Sequence, residues 1–338
     1  MIGRDDKAAR GVVLGGLDGS NPLAYLAALG TLRILDLAND DPFEPPKMHW
    51  TLSGATWHPV VAVAAGGDVL DNRAEFVEHL AAALERHGDD RPFRWAKDTN
   101  VDPGTFRSFA EKAAAEASAA DRRIPDFAAA FASESLTDRQ GRVQDTALRT
   151  MSGAGHQHFV GFMRQLVGVT ERSHLAAALF DTWAYGDEPP SMRWDPADDR
   201  RYALRWSNPS GDQIQTVRGA NRLAVEALPL MATAPRVSRL ETTGFDRTTW
   251  RWPIWVHSID VRVVRSLLTH PALHPGRHTL PDLPALRELG VAEVFQSKRI
   301  TVGKYRNFTP AVPVSASPEH RTTGTARYRP AAERARDR

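Results

Sequence analysis

The chain contains no cysteine, few lysines and no long hydrophobic run. The absence of cysteine excludes disulfides, thiolate metal sites and cysteine nucleophiles together. Because no stretch approaches about 18 uninterrupted apolar residues, we expect no membrane span. The first residues, MIGRDDKAARG, lack the apolar core of a signal peptide, so we expect a cytoplasmic protein. Its 338 residues, 42% of them hydrophobic, are enough for a large core and two domains.

Charge is distributed unevenly along the chain. Residues 1–140 carry 15 Lys+Arg against 22 Asp+Glu, a balance of −7, and residues 141–338 carry 28 against 19, a balance of +9. With so few lysines the excess is nearly all arginine, whose planar fork suits phosphate and carboxylate groups. A basic half indicates a polyanionic partner. The alternative is a genome that encodes arginine in place of lysine.

The order of elements predicts an α+β protein, helix-rich and mixed, with small antiparallel sheets and two lobes. Helices are predicted over 72–88, 106–123 and 124–135, and strands over 49–57, 58–65 and 248–260. A hairpin or a bent strand is predicted over 291–308. The charge balance and the elements together predict an acidic helix-rich lobe at 1–140, a basic α+β lobe at 141–317, and a disordered Arg-rich tail at 318–338.

The most sharply patterned run is LGGLDGSNPLAYLAALGTLRILDL at 14–37. Its glycine-rich turn has neither the GxxxxGK[ST] nor the GxGxxG order, and no lysine follows to reach a phosphate. Ser20 or Asn21 is a suitable N-cap, Pro22 suits the first turn, and apolar residues recur at three- and four-residue steps. We therefore predict a capped core helix, with Gly30 packed closely against another element.

Two segments offer residues for catalysis. GAGHQHF at 153–159 holds His156 and His158, and WDPADDRRYAL at 194–204 holds the Asp195–Asp199 cluster. The HExxH pattern, a third acidic ligand nearby and the GxSxG elbow are all missing. A metal-dependent hydrolase or nuclease using these residues is kept as an alternative. The main prediction is a non-enzyme without a cofactor.

The segment QSKRITVGKYRNFTP at 296–310 interleaves basic and aromatic residues. This pattern suits neutralisation of a phosphate backbone together with base stacking. Strand alternation places Lys298 on one face and Arg299 on the other. A charged edge strand that prevents aggregation is the alternative. The predicted nucleic-acid-binding residues are Lys298, Arg299, Lys304, Tyr305, Arg306, Arg218, Arg222, Arg200 and Arg201.

Three segments together resemble a known family. They are DGSNPLAYLAALGTLRIL (18–35), GAGHQHFVGFMRQL (153–166), and MRWDPADDRRYAL with GANRLAVEALPL (within 192–230). The first resembles the opening of large-subunit-like proteins of type I CRISPR surveillance complexes, and the closest branch is type I-G, formerly I-U. The resemblance covers about a quarter of the chain.

The resemblance implies a non-catalytic subunit at the end of a guide-RNA filament. Such subunits lie beside the subunit that holds the 5′ handle, contribute to recognition of target DNA and its flanking motif, and help to recruit a helicase-nuclease. The implied partners are therefore crRNA, target DNA, and the repeat-filament and 5′-handle subunits, without a membrane. A scaffold protein that does not touch nucleic acid is a further alternative.

Overall fold

A computed structural model describes residues 11–65, 67–151, 157–198, 216–276, 279–302 and 305–314. The prediction of an α+β fold is confirmed, and the predicted tail at 318–338 lies outside the described residues. None of the helices described is long and apolar enough to cross a membrane. The helices are α1 (Pro22–Leu37), α2 (Arg73–His87), α3 (Pro103–Ala115), α4 (Arg123–Phe131), α5 (Phe159–Val169), α6 (Arg172–Phe180), α7 (Arg218–Glu226), α8 (Val261–Leu268) and α9 (Leu283–Glu288).

The strands form small antiparallel sheets. One sheet has the order β1-β3-β2-β12, and another has the order β10-β11-β13-β14, with β15 also pairing with β13. Three hairpins, β4-β5, β6-β7 and β8-β9, complete the set. The strands are β1 (Val12–Val13), β2 (Lys47–Ser53), β3 (Thr56–Ala62), β4 (Ala64–Ala65), β5 (Asp68–Val69), β6 (Ala132–Thr137), β7 (Val143–Asp145), β8 (Thr233–Arg236), β9 (Arg239–Thr242), β10 (Phe245–Asp246), β11 (Thr249–Trp255), β12 (Ile259–Asp260), β13 (Val291–Val302), β14 (Tyr305–Phe308) and β15 (Val312–Pro313).

Helix α1 begins as the sequence predicts. The Asn21 side chain accepts hydrogen bonds from the backbone of Leu23 at 2.8 Å and Ala24 at 3.3 Å, which satisfies two N–H groups of the first turn. Tyr25 then stacks on Trp50 of β2, with ring centroids 5.7 Å apart, and lies 5.6 Å from Trp252 of β11. The helix therefore joins the two larger sheets through buried aromatic rings.

Helix α1 crosses α7 at Gly30. A Cβ atom added at Gly30 would lie 1.8 Å from the carbonyl oxygen of Leu223, so only glycine fits. The predicted close packing at this residue is confirmed. The hydrophobic core draws on both halves of the chain, and β12 from the second half pairs with β2 from the first. The predicted lobe boundary near residue 140 stays a prediction, and these contacts cross it.

The structure departs from the expected elements after α4. The run 124–135 is predicted as one helix, but the helix ends at Phe131 and Ala132–Thr137 is a strand. Ala132 pairs with Asp145 of β7. This segment is therefore extended because it pairs with a strand that follows it after a turn. Helix α3 likewise ends at Ala115 rather than at 123. The predicted helix at 72–88 is confirmed between its Asn72 cap and Gly88.

A buried carboxylate lies behind the α1–α7 contact. Glu226 is fully buried, and its oxygens accept hydrogen bonds from Arg123 at 2.7 and 2.9 Å and from Arg222 at 2.7 Å. Arg33 of α1 adds a contact at 3.3 Å. Burial acts to raise the pKa of Glu226, but the arginines outweigh it and hold the pKa at about 2. Two further carboxylates lie nearby, Asp126 at 3.7 Å from Arg33 and Asp89 at 3.8 Å from Arg123, and they also pair with the more exposed Arg122 at 3.5 Å and Arg91 at 2.9 Å. Three guanidiniums thus face three carboxylates.

The α1–α7 contact predicts opposite effects for two glycine substitutions. Gly30→Ala forces a Cβ into the Leu223 carbonyl and should lower the free energy of unfolding by about 3 kcal/mol. Gly168→Ala, in α5 with no atom within 4 Å of the added Cβ, should raise it by about 0.5 kcal/mol. Urea denaturation of both variants measures the difference. Equal effects would show that the close approach at Gly30 is not a constraint.

The buried network predicts that Glu226→Gln lowers the free energy of unfolding by an amount that depends on pH. Removing the charge leaves three buried guanidiniums facing only Asp126 and Asp89, and should lower the free energy of unfolding by about 3–5 kcal/mol near neutral pH. Because the folded pKa lies below the unfolded value of 4.5, this stabilisation is complete above about pH 5 and is lost as the pH falls towards 2. The difference in the free energy of unfolding between wild type and variant should therefore become smaller at acidic pH. The control Glu134→Gln, at a half-exposed pair with Arg107, should change stability by less than about 1 kcal/mol. A pH-independent gap would contradict the assignment.

Candidate anion-binding site of three arginines

Strands β13 and β14 place two of the predicted arginines on one face. Arg299 pairs with Phe308, and Thr301 pairs with Arg306, so Arg299 and Arg306 are diagonal neighbours on the same side of the hairpin. Both guanidiniums reach the segment that follows β7. Arg299 Nη1 donates to the carbonyl of Ala147 at 2.6 Å, and Arg306 Nη1 donates to the carbonyl of Arg149 at 3.4 Å.

Arg149 adds a third guanidinium to this place. It is buried, its Nε contacts the Asp145 carboxylate, and its Nη1 donates to the Met151 carbonyl at 3.1 Å. Asp98 Oδ1 lies 3.8 Å from Arg149 Nη1. We call Arg149, Arg299 and Arg306 the three-arginine site.

The two carboxylates of the site are themselves held in place. Thr99 Oγ1 donates to Asp145 at 2.7 Å, and burial raises the pKa of Asp145 against the pull of Arg149. Asp98 accepts the backbone N–H of Phe159 at 3.1 Å at the start of α5. Its other oxygen lies 3.0 Å from Nδ1 of His158. The acidic groups therefore position α5 and Arg149 as well as supplying charge.

The three-arginine site carries more positive than negative charge. Within the described residues, the only carboxylates facing its three guanidiniums are Asp98 and Asp145, and neither lies within 4 Å of Arg299 or Arg306. Burial, then repulsion by Arg306, lowers the pKa of Arg299 to about 10, and burial and Arg149 lower that of Arg306. Arginine side chains remain protonated in proteins at neutral pH. An anion placed between them would relieve this repulsion, and a phosphate matches the guanidinium fork.

The other predicted residues are placed differently. Lys298 is exposed on the opposite side of β13 from Arg299. Arg222 is buried on Glu226 and on the Gly88 carbonyl at 2.6 Å, so we leave it out of the site. The Arg218 guanidinium lies 3.0 Å from Nε2 of His174 and donates to the Glu188 carbonyl at 3.2 Å. Arg200, Arg201 and Lys304 lie outside the described residues, as does the side chain of Tyr305.

The residues of the alternative hydrolase are not gathered in the part of the chain that the structure describes. His158 contacts Asp98, whereas Asp195 is buried and accepts from Asn21 and Tyr185, each at 3.1 Å. Burial raises the pKa of Asp195, and its described partners are neutral. No group of three His, Asp or Glu residues suited to a metal ion occurs among the described side chains. His156 and Asp199 lie outside them.

Sequence reasoning found Arg299 and Arg306 but missed Arg149, Asp98 and Asp145. The hairpin pattern at 291–308 was a local signal, whereas Asp98 and Arg149 join the site from segments remote in sequence. Comparison of the chain with family models, curated proteins and solved structures finds no match. The site is therefore interpreted from its own charge and geometry.

The unbalanced charge predicts stabilisation by inorganic phosphate. At a concentration tenfold above its Kd, phosphate should raise the free energy of unfolding by about 1.4 kcal/mol over chloride of equal ionic strength. Arg306→Gln should remove most of this gain, because it takes away one of the two guanidiniums that have no carboxylate partner among the described residues. The control Arg94→Gln, at an exposed pair with Asp90, should keep it. Thermal melts with and without phosphate measure the effect, and an equal gain in all three proteins would contradict the site.

Proposed function

We propose that this chain is a non-catalytic nucleic-acid-binding subunit of a crRNA-guided CRISPR surveillance complex, and that the three-arginine site holds backbone phosphate. The observation that carries the proposal is the pair of guanidiniums, Arg299 and Arg306, on one face of a hairpin without carboxylate partners among the described residues. Phosphate contacts of this kind position a nucleic acid without reading its bases.

The resemblance to large-subunit-like proteins supports the class of complex. The three segments that carry it contribute α1, α5 and α7, and α7 packs against both of the other helices. The segments therefore belong to one packed unit, as parts of one family pattern would. This support concerns the class of protein, whereas the charge of the three-arginine site concerns its ligand.

The salt dependence of DNA binding tests whether the three-arginine site holds backbone phosphate. Fluorescence anisotropy with a labelled duplex and single strand, between about 50 and 200 mM salt, gives the slope of log K against log salt. The double variant Arg299→Gln/Arg306→Gln should weaken duplex binding and reduce the magnitude of the slope by about 0.9, the value for one lost phosphate contact.

A matched control separates the site from net charge. Arg94→Gln/Arg107→Gln removes two exposed arginines that pair with Asp90 and Glu134, so it changes the net charge equally. It should leave the slope close to that of wild type. Equal losses in the two double variants would mean that the site has no special part in binding. Undiminished binding by the first would also contradict the proposal.

Assembly tests the class of complex. Co-expression with repeat-filament and 5′-handle subunits and guide RNA should give a complex that contains this chain. Failure to join such a complex would reject the surveillance-complex assignment even if DNA is bound. Intact assembly and unchanged DNA binding by the site variant would favour the scaffold alternative.

A further inference from the structure

The loop between α1 and β2 exposes an aromatic ring. Phe43 is 90% exposed, and it is the only aromatic residue among the largely exposed hydrophobic side chains of the described chain. Most of the phenylalanines described here are instead buried. Covering an exposed ring with another surface is energetically favourable, and large aromatic side chains are frequent anchors of protein interfaces. We call residues 39–44 the Phe43 loop.

The Phe43 loop is held in one conformation. Asp41 Oδ1 accepts the backbone N–H of Phe43 at 2.8 Å, and the Asn39 side chain donates to the Asp41 carbonyl. Pro42 precedes the ring, and Pro45 and Pro46 follow it before β2 begins at Lys47. Because these restraints already fix the backbone, docking of the ring costs little further conformational entropy.

The charge around Phe43 has a single sign. Asp40, Asp41 and Glu44 are exposed beside the ring, and the segment 38–46 contains no basic residue. Among the described residues, Asp40 pairs with Arg86 at 3.5 Å, and both side chains are largely exposed. Such a loop repels nucleic acid and attracts a basic surface.

We infer that the Phe43 loop is a docking point for a second protein, whose surface offers an apolar pocket for the ring and Lys or Arg residues at the rim. The inference is independent of the proposed function, since the three-arginine site has no part in it. Burial of the ring supplies most of the affinity, and the three carboxylates orient the loop and speed association.

Photo-crosslinking in cells that produce the chain identifies the partner. The full-length chain carries p-benzoyl-phenylalanine at position 43, and a matched control carries it at position 237. Val237 is 101% exposed at the β8-β9 turn, but it lies between Arg236 and Arg239, so it matches Phe43 in exposure and differs in the sign of the flanking charge. A discrete crosslink is expected at position 43 and not at 237.

Affinity for the purified crosslinked protein then decides the inference. Phe43→Ala should weaken binding at least about tenfold, Asp41→Asn/Glu44→Gln should weaken it less and reduce its salt dependence, and Val237→Ala should leave it unchanged. Urea denaturation should show all variants as stable as wild type, because these side chains are exposed. The inference is overturned by the absence of a crosslink specific to position 43, by a crosslink to a second copy of this chain, or by undiminished binding of Phe43→Ala.

Discussion

The close crossing of α1 and α7 at Gly30 is the constraint on which the rest of the fold depends. Because the Leu223 carbonyl leaves no room for a Cβ at this position, α1 and α7 pack closely together. Glu226, at the end of α7, is buried. A carboxylate so enclosed is stable only if cations surround it, and Arg33, Arg123 and Arg222 supply them from three helices. The same helix α1 extends its other face to the sheets through Tyr25. One backbone contact thus fixes the helical layer, its buried charge and the position of the sheets.

Charge balance distinguishes two arginine clusters within the described part of the chain. Around Glu226, three buried guanidiniums face three carboxylates. Those of Arg33 and Arg123 also lie over the ring of Phe127, and that of Arg123 lies over Phe93 as well. In that cluster, carboxylates already balance the charge of the buried guanidiniums. In the three-arginine site, Arg149 is neutralised by its carboxylate neighbours, whereas Arg299 and Arg306 donate to backbone carbonyls and keep their full charge. The arginines around Glu226 therefore balance buried carboxylates, whereas Arg299 and Arg306 leave charge available to a ligand.

Local patterns predicted much of the fold and part of the site. The Asn21 cap, the close packing at Gly30, helix α2 with its Gly88 end, and the β13-β14 hairpin all follow from nearby residues. The strand at Ala132–Thr137 did not, because its extended form comes from pairing with β7. Arg222 was predicted to bind nucleic acid because it lies near the start of a helix, but its guanidinium is buried against the Glu226 carboxylate one turn later. Asp98 and Arg149 meet only in the folded chain, so no spacing in the sequence reveals the site.

Competition between phosphate and DNA tests the central claim most directly, namely that nucleic acid binds through the three-arginine site. DNA affinity of the wild-type chain is titrated against inorganic phosphate, with chloride adjusted so that the ionic strength stays constant. If one site holds both ligands, phosphate should weaken DNA binding beyond the effect of chloride, and the excess should vanish in Arg299→Gln/Arg306→Gln. If phosphate stabilises the fold but leaves DNA affinity unchanged at equal ionic strength, the two ligands bind separately and the account is contradicted.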